Sequence, residues 1–400
     1  MSTTGVSGWA KFPAHIRSLL WTQLFMNASH FMTVPLLALF LSHDLKLGPI
    51  ELGTVMAVNL LCAQSLPLLA GPVIDRFGAK LAMVCGQLLR AVGLLGFVVS
   101  PYHHAILVPA ACLMGSGVAI YETAVFGIFG REPRLTVAEI FAANNQMLNP
   151  GVIVGPAIGM TAGIASARLC FAGSAALFFV LAIFSLLRPG VERADSPRSA
   201  MLKSIRSALT DRDFRFLMAA AMPWYFLFPQ LYVFFPVYLS RVAQGRLSAL
   251  IYIVNGVVGV IFMVAAKRWL VATPPQRILI GAYAAAALLF ASVSLSENII
   301  WFFVFVAGYT VVETAIQPAI QTLVSNLAKE GSQSTFFGTL SIAGAISGAA
   351  GYYTGSWLVL GAGRYEAWLI FGCVGLCGVI FSILFRSRVL HGMRPAVSLL

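Results

Sequence analysis

The chain has 400 residues, 59% of them hydrophobic and only 10% charged, with a formal charge of +12. A soluble domain carries about 25% charged residues because its surface must face water, so this composition excludes a water-soluble enzyme or binding module and makes the bilayer the solvent. The basic excess falls in short loops between apolar runs, where it sets topology. No basic stretch carries the interleaved aromatics of a nucleic-acid module, and none is expected among the partners.

A hydrocarbon core of roughly 30 Å needs about 20 apolar residues per helix. On that basis the first half holds six predicted helices, at 16–42, 51–73, 78–100, 104–130, 136–165 and 168–187. The longest polar stretch follows, Arg188–Arg215, read as a cytoplasmic linker with an amphipathic helix at Ala200–Leu209 on anionic lipid or as a plain solvated connector. Six more helices are predicted at 214–240, 247–266, 276–296, 299–327, 333–360 and 366–385. Each run is too long for a strand and lacks the alternation of a barrel. The expected fold is therefore an all-α integral membrane protein: an N-terminal six-helix bundle over 1–187, a linker over 188–213 and a C-terminal six-helix bundle over 214–400.

The amino terminus lacks an apolar core followed by a cleavage site and reads as having no removable signal peptide. With that terminus inside, the cytoplasmic segments hold 20 lysines and arginines and the outer loops 5 (Lys46, Arg168, Arg241, Arg246 and Arg364), which puts both termini in the cytoplasm. The six cysteines (Cys62, Cys85, Cys112, Cys170, Cys373 and Cys377) all fall in apolar segments and read as packing residues. No metal or cofactor is implied.

The halves repeat. Gly117, Glu122, Thr123 and Ala124 in the fourth span are matched by Gly308, Glu313, Thr314 and Ala315 in the tenth, at an offset of 191 residues. Gly151, Gly155 and Gly159 in the fifth are matched by Gly344, Gly348 and Gly351 in the eleventh, at offsets of 193, 193 and 192. A glycine match in apolar sequence is cheap, but a membrane-embedded Glu-Thr-Ala at the same offset is not. Duplicated halves suit alternating access around a central site.

Between the second and third spans stand Gly71, Asp75, Arg76, Gly78 and Lys80, in the order Gly-Pro-Val-Ile-Asp-Arg-Phe-Gly-Ala-Lys. The glycines permit a tight turn, and an acid at the membrane face can bridge to a basic partner in one conformation only, which makes it a latch. The competing reading is an ordinary charged turn. This pattern resembles the loop signature of the major facilitator superfamily, and it stands where that family carries it. Gly151, Gly155, Pro156 and Gly159 resemble the Gly-Pro motif of the family's exporters, above all its twelve-helix drug–proton antiporters, although generic small-residue packing would use the same residue types. One departure stands out: where those antiporters often carry an arginine four residues before a fourth-span glycine, here Gly115, this chain has Ala111.

Embedded ionisable groups are few. An ionised side chain at bilayer depth costs at least ~2.5–3.5 kcal/mol on insertion scales, so such groups normally face a polar cavity. The family resemblance implies a cavity lined by the first, fourth, seventh and tenth spans. Glu122 and Glu313 fall on the fourth and tenth, and His30, with Asn27 and Gln23, on the first. A lone histidine on an apolar helix is more often a packed residue than a functional one. Arg90 enters from the cytoplasmic side and reads as snorkelling, or as a structural partner of Glu122. The seventh span is dense in aromatics; most would pack, while Tyr225 and Tyr232, with Tyr121 and Tyr309, could form an amphiphilic site that also suits a cation.

The function this implies is proton-coupled export of amphiphilic or cationic small molecules across the inner (plasma) membrane by a monomer, with protons and membrane lipids as its other partners. The rivals are an exporter dedicated to one cellular product such as a siderophore or metabolite, and a proton symporter. A membrane-embedded enzyme would need a nucleophile–base pair or metal cluster, and neither HExxH nor GxSxG occurs. Two outcomes test the topology and the loop. A single cysteine at Ser196 should resist labelling from outside intact cells. Asp75→Asn should slow transport while leaving substrate affinity nearly unchanged; an equal fall in affinity would refute the latch.

Overall fold

In hydrocarbon an unpaired backbone amide finds no water, so a spanning chain satisfies its backbone within helices or a closed barrel, and long apolar runs without alternation select helices. The computed structural model describes residues 11–67, 70, 74, 77–129, 132, 137–163, 166–188, 209–243, 247–296, 298–328, 333–361 and 364–392, and among them no strand occurs. Asp75, Arg76 and Gly71 of the loop motif and most of the Arg188–Arg215 stretch, including most of the Ala200–Leu209 segment, lie outside the described residues.

Two units are distinguished by their contacts, one comprising Met1–Leu47 and Val58–Ser196, the other Gly48–Ala57 and Pro197–Leu400. The first contains α1 (Ala14–Leu39, continued by a π-helical turn to Asp44), the latter part of α2 (Pro49–Ser65), α3 (Ala79–Val99), α4 (Leu107–Phe129), α5 (Val137–Gly163) and α6 (Ala167–Leu187). The second contains α7 (Arg212–Leu227), α8 (Phe234–Val242), α9 (Ser248–Ala272), α10 (Pro275–Val293), α11 (Ile299–Leu327), α12 (Gln333–Gly361) and α13 (Arg364–Gly392). Among the described residues seven helices are long and apolar enough to cross a bilayer, and the bent pair α7–α8 makes eight. Helices α2, α5, α9 and α12 occupy the remaining four of the twelve predicted positions. Outward faces are apolar, as a lipid-facing surface requires: Val264 is 75% exposed and Leu288 72%.

The predicted seventh span is not one continuous helix. It breaks by 40° between α7 and α8 across a short 3₁₀ turn, Phe228–Leu231. Pro236 supplies the reason: it has no N–H for the Tyr232 carbonyl, and its ring crowds that same carbonyl. The loop motif also has a visible backbone requirement. Gly78, at the start of α3, has φ of 93°, a left-handed conformation that favours glycine.

Helices in lipid gain nothing hydrophobic from each other, so they associate through small residues that let backbones meet. The Gly-Pro motif does this for α5 against α1. A Cβ added at Gly155 would lie 2.6 Å from the Ala28 carbonyl oxygen and 2.9 Å from Phe31 Cβ, and one at Gly151 2.8 Å from the Ala28 nitrogen. One at Gly159 would strike the Met32 carbonyl. The second unit repeats the seam between α12 and α7, where Gly344 lies 3.1 Å from the Tyr225 ring and Gly351 meets the Phe226 carbonyl on the same construction. Helices α3 and α4 close equally tightly: Gly86 faces the Gly117 carbonyl and the Tyr121 nitrogen, both at 2.8 Å.

Within the second unit an aromatic core joins α8, α10, α11 and α13. The Phe235 ring stands 5.2 to 6.2 Å from those of Phe290, Phe302, Phe305, Tyr309 and Trp368. Also within that unit, the start of α2 lies on α12, with the Thr54 and Tyr353 hydroxyls 2.7 Å apart.

The α1–α5 seam is directly testable. Gly155→Val should overpack it at a cost of about 1–3 kcal/mol and lower the unfolding temperature of the detergent-solubilised protein. Gly173→Ala, where an added Cβ would meet nothing within 4 Å, should leave that temperature unchanged.

Candidate functional site

In the first unit four α1 side chains at helical spacing, Gln23, Met26, Asn27 and His30, share one face. With Arg90 of α3, Val118 and Glu122 of α4, and Leu148 of α5, they enclose a cavity of about 30 Å³, room for a single water molecule. Asn27 is held there by its amide, which donates to the Leu148 carbonyl at 2.6 Å. His30 meets Phe31 edge to face at 5.3 Å.

Arg90 corrects the snorkelling expectation. It is only 4% exposed, and its guanidinium carbon sits 4.4 Å over the ring of Phe178 on α6. The reason lies in the α3–α4 seam. A Cβ at Gly117 would lie 2.6 Å from Arg90 Cγ and 2.8 Å from its backbone nitrogen, so glycine alone leaves the arginine stem its path inward. The structural pairing with Glu122 is not made either: among the described residues no carboxylate lies within 4.0 Å of Arg90, and its Nε has no hydrogen-bond partner. Glu122, itself exposed, remains within electrostatic reach. One turn before Arg90, the buried Gln87 donates weakly to Met26 Sδ at 3.8 Å, while its own oxygen has no partner among the described residues.

In the second unit Glu313 is half-buried on α11, and its Oε2 accepts from Asn255 of α9 at 2.7 Å. Asn255 also donates to Thr310 Oγ1 at 3.1 Å, and that hydroxyl donates to the Val306 carbonyl at 2.8 Å. No ion pair to Glu313 occurs among the described residues. Sequence reasoning missed Asn255, although a single amide inside the apolar run Ile-Tyr-Ile-Val-Asn-Gly-Val-Val carried the signal. Tyr232 stacks on Tyr252 at 6.2 Å and meets Phe228 edge to face at 5.5 Å, within electrostatic reach of Glu313.

Tyr121 and Tyr309 are placed differently from the amphiphilic lining expected of them. Tyr121 is fully buried against Gly86 in the α3–α4 seam, its hydroxyl without a partner among the described residues. Tyr309 is 1% exposed, stacks on Trp224 at 5.7 Å, and turns its hydroxyl to the Leu227 and Phe228 carbonyls at 3.4 Å. Tyr225 is half-buried and packs on Gly344. Adjacent residues on a helix point about 100° apart, so when Glu122 faces the cavity, Tyr121 must face the seam.

The position where antiporters often carry arginine is closed. Ala111 is fully buried and its carbonyl accepts from Asn59 of α2 at 3.2 Å, while Gly115 meets the Asn59 backbone. Lys80 of the loop motif lines a separate cavity of about 240 Å³ with His15, Ser18 and Arg188.

A profile of the Major Facilitator Superfamily matches residues 19–352. The uncharacterized MFS-type transporter Rv0849 of Mycobacterium tuberculosis is 30% identical over 258 residues, 63% of this chain; the match spans 61% of that relative's own length. The multidrug resistance protein MdtH of Salmonella arizonae is 24% identical over 373 residues, 89% of this chain and 90% of its own. Among solved structures, a POT family transporter in complex with 5-aminolevulinic acid superimposes with a TM-score of 0.80 at 12% identity, covering 96% of this chain and 97% of its own. A D-xylose–proton symporter does so with a TM-score of 0.71 at 15% identity, covering 93% and 97%. The chain belongs to the Major Facilitator Superfamily and has that family's multi-pass, twelve-helix, all-α membrane fold.

Proposed function

We propose that the protein is a proton-coupled exporter of amphiphilic small molecules, acting by alternating access in the bacterial inner membrane with both termini in the cytoplasm. The observation that carries this is the pair of membrane-embedded carboxylates at equivalent positions of the repeat, each at a polar site within its own unit: Glu122 beside the α1–α3–α4 cavity, and Glu313 with Asn255 and Thr310. A carboxylate so placed costs several kcal/mol unless it has work to do. Likeness to the multidrug resistance protein MdtH over nearly the whole chain supports export and a broad substrate range. Gly151, Gly155, Pro156 and Gly159 support it independently, because this exporter-like motif forms the tight α1–α5 seam.

Of the two acids, Glu313 is the better proton carrier. Its neighbours are a neutral amide and a hydroxyl, and an amide serves either protonation state: its NH₂ donates to the carboxylate, and its oxygen accepts from the carboxylic acid. Glu122 has a guanidinium within electrostatic reach, which ties its charge to that of Arg90.

The test is flux in proteoliposomes, using compounds selected because they shift the unfolding temperature of the purified protein. Glu313→Gln mimics the protonated acid at nearly constant volume. It should abolish flux driven by a pH gradient while retaining substrate exchange without one. If Glu313→Gln and Glu122→Gln each retain wild-type gradient-driven flux, neither acid couples protons and the mechanism fails.

A further inference from the structure

The cavity of the first unit is built around a cation that its own residues do not neutralise at contact distance. Arg90 is buried to within 4% of its surface, yet its Nε has no partner and no carboxylate lies within 4.0 Å among the described residues. The Phe178 face at 4.4 Å offers a cation–π contact. That is less than a desolvated guanidinium gives up, since a buried charge is ordinarily paired and hydrogen-bonded. A structural arginine would hold a carboxylate through two parallel N–H···O bonds. Glu122, the acid that faces it, is exposed and does not reach.

Beside the apolar Met26, Val118 and Leu148, the remaining polar groups of the cavity wall suit an anion's surroundings. Gln23 and Asn27 bring amides and His30 an imidazole, and no second acid lines the space. In this conformation the cavity has room for about one water molecule, so a ligand's acidic group would enter by displacing the Glu122 side chain that lines it, and the ligand's apolar body would lie outside.

We infer that Arg90 is the recognition point for an acidic group on the transported compound, so that the substrates are amphiphilic carboxylates or other organic anions, including zwitterions, rather than simple cations. This rests on the transport reading above and narrows its substrate class. In it, Glu122 is the resident competitor for the guanidinium. It balances the charge of the empty site from a distance and yields that role when a ligand carboxylate makes the bidentate contact. A cationic amphiphile would meet Arg90 as a like charge in a low-dielectric setting, which penalises it.

An isosteric series separates the possibilities: 2-naphthoate, 2-naphthamide and 2-naphthylmethylamine, each titrated into the purified full-length protein in detergent and followed by tryptophan fluorescence and thermal shift. Wild type should bind naphthoate at least about tenfold more tightly than naphthamide, the ratio that one charge-assisted contact supplies, and the amine most weakly. Arg90→Gln should lose that preference while binding naphthamide as wild type does, a result that also shows the variant is folded. Glu122→Gln should tighten naphthoate several-fold, because it removes the competing charge; a gain of this kind cannot come from misfolding. Equal affinity for naphthoate and naphthamide, tightest binding of the amine, or weaker naphthoate binding to Glu122→Gln would each overturn the inference. These are equilibrium measurements without a gradient. They can fail while Glu313 still couples protons, and they can succeed in a protein that couples none.

Discussion

Everything in this molecule hangs on how helices meet in a solvent as apolar as they are. Lipid gives no hydrophobic reason for one helix to prefer another, so close contact comes from backbones brought together where side chains are absent. The α3–α4 seam shows what that permits. Gly86 and Gly117 face each other's carbonyls, and the space a Cβ would fill at Gly117 is taken by the stem of Arg90. The same glycine that lets two helices close therefore turns a basic side chain away from lipid and into the bundle. Packing and placement of charge are one event here, since a larger residue at position 117 would displace both the neighbouring helix and the guanidinium.

A second constraint, that no backbone carbonyl goes unpaired in hydrocarbon, organises the other unit. The break forced by Pro236 strands carbonyls near the end of α7. Side-chain donors close them: Tyr309 turns its hydroxyl to Leu227 and Phe228, Tyr252 donates to Leu231 at 3.1 Å, and the Gln230 amide donates to Phe226 at 3.0 Å while also reaching Gly351 of α12 at 2.9 Å. Tyr309 and Glu313 are four residues apart on α11 and so share a face. Anchoring Tyr309 to the broken helix thus fixes the register of the helix that carries the carboxylate, which places Glu313 beside Asn255 of α9.

These two constraints explain which features could be read from residues alone. Long apolar runs, the glycine repeats and the embedded Glu-Thr-Ala pairs depend on local pattern, and they led to an all-helical transporter of this family. The direction of Arg90 depends on a partner seam, and distance along a helix cannot report a glycine on its neighbour, so the snorkelling expectation failed. Tyr121 and Tyr309 were grouped with a substrate surface because they are aromatic and stand near the acids. Their burial follows from helical phase for Tyr121 and from the α7–α8 break for Tyr309. Neither phase against a neighbour nor the position of a break is legible in aromatic density. Asn255 was readable, as an isolated amide in an apolar helix, and was overlooked because it lies outside the spans that the family resemblance brings forward.

The repeat also shows how duplicated halves come to differ. Glu122 and Glu313 stand at the same place in their helices, each five residues after a glycine. Gly117 opens a path for an arginine from the neighbouring helix, whereas Gly308 is closed by the side chain of Leu289, 2.8 Å from where its Cβ would be. One glycine admits a cation and the other an aliphatic wall, so two equivalent carboxylates acquire unlike company: a guanidinium over a phenyl ring in one unit, an amide and a threonine hydroxyl in the other. An acid beside a fixed cation has its charge tied to that cation and to whatever anion replaces it. An acid beside neutral donors and acceptors can take up or release a proton without breaking an ion pair. The division of ligand recognition from proton exchange proposed above would thus rest on what fills the space opposite two matched glycines.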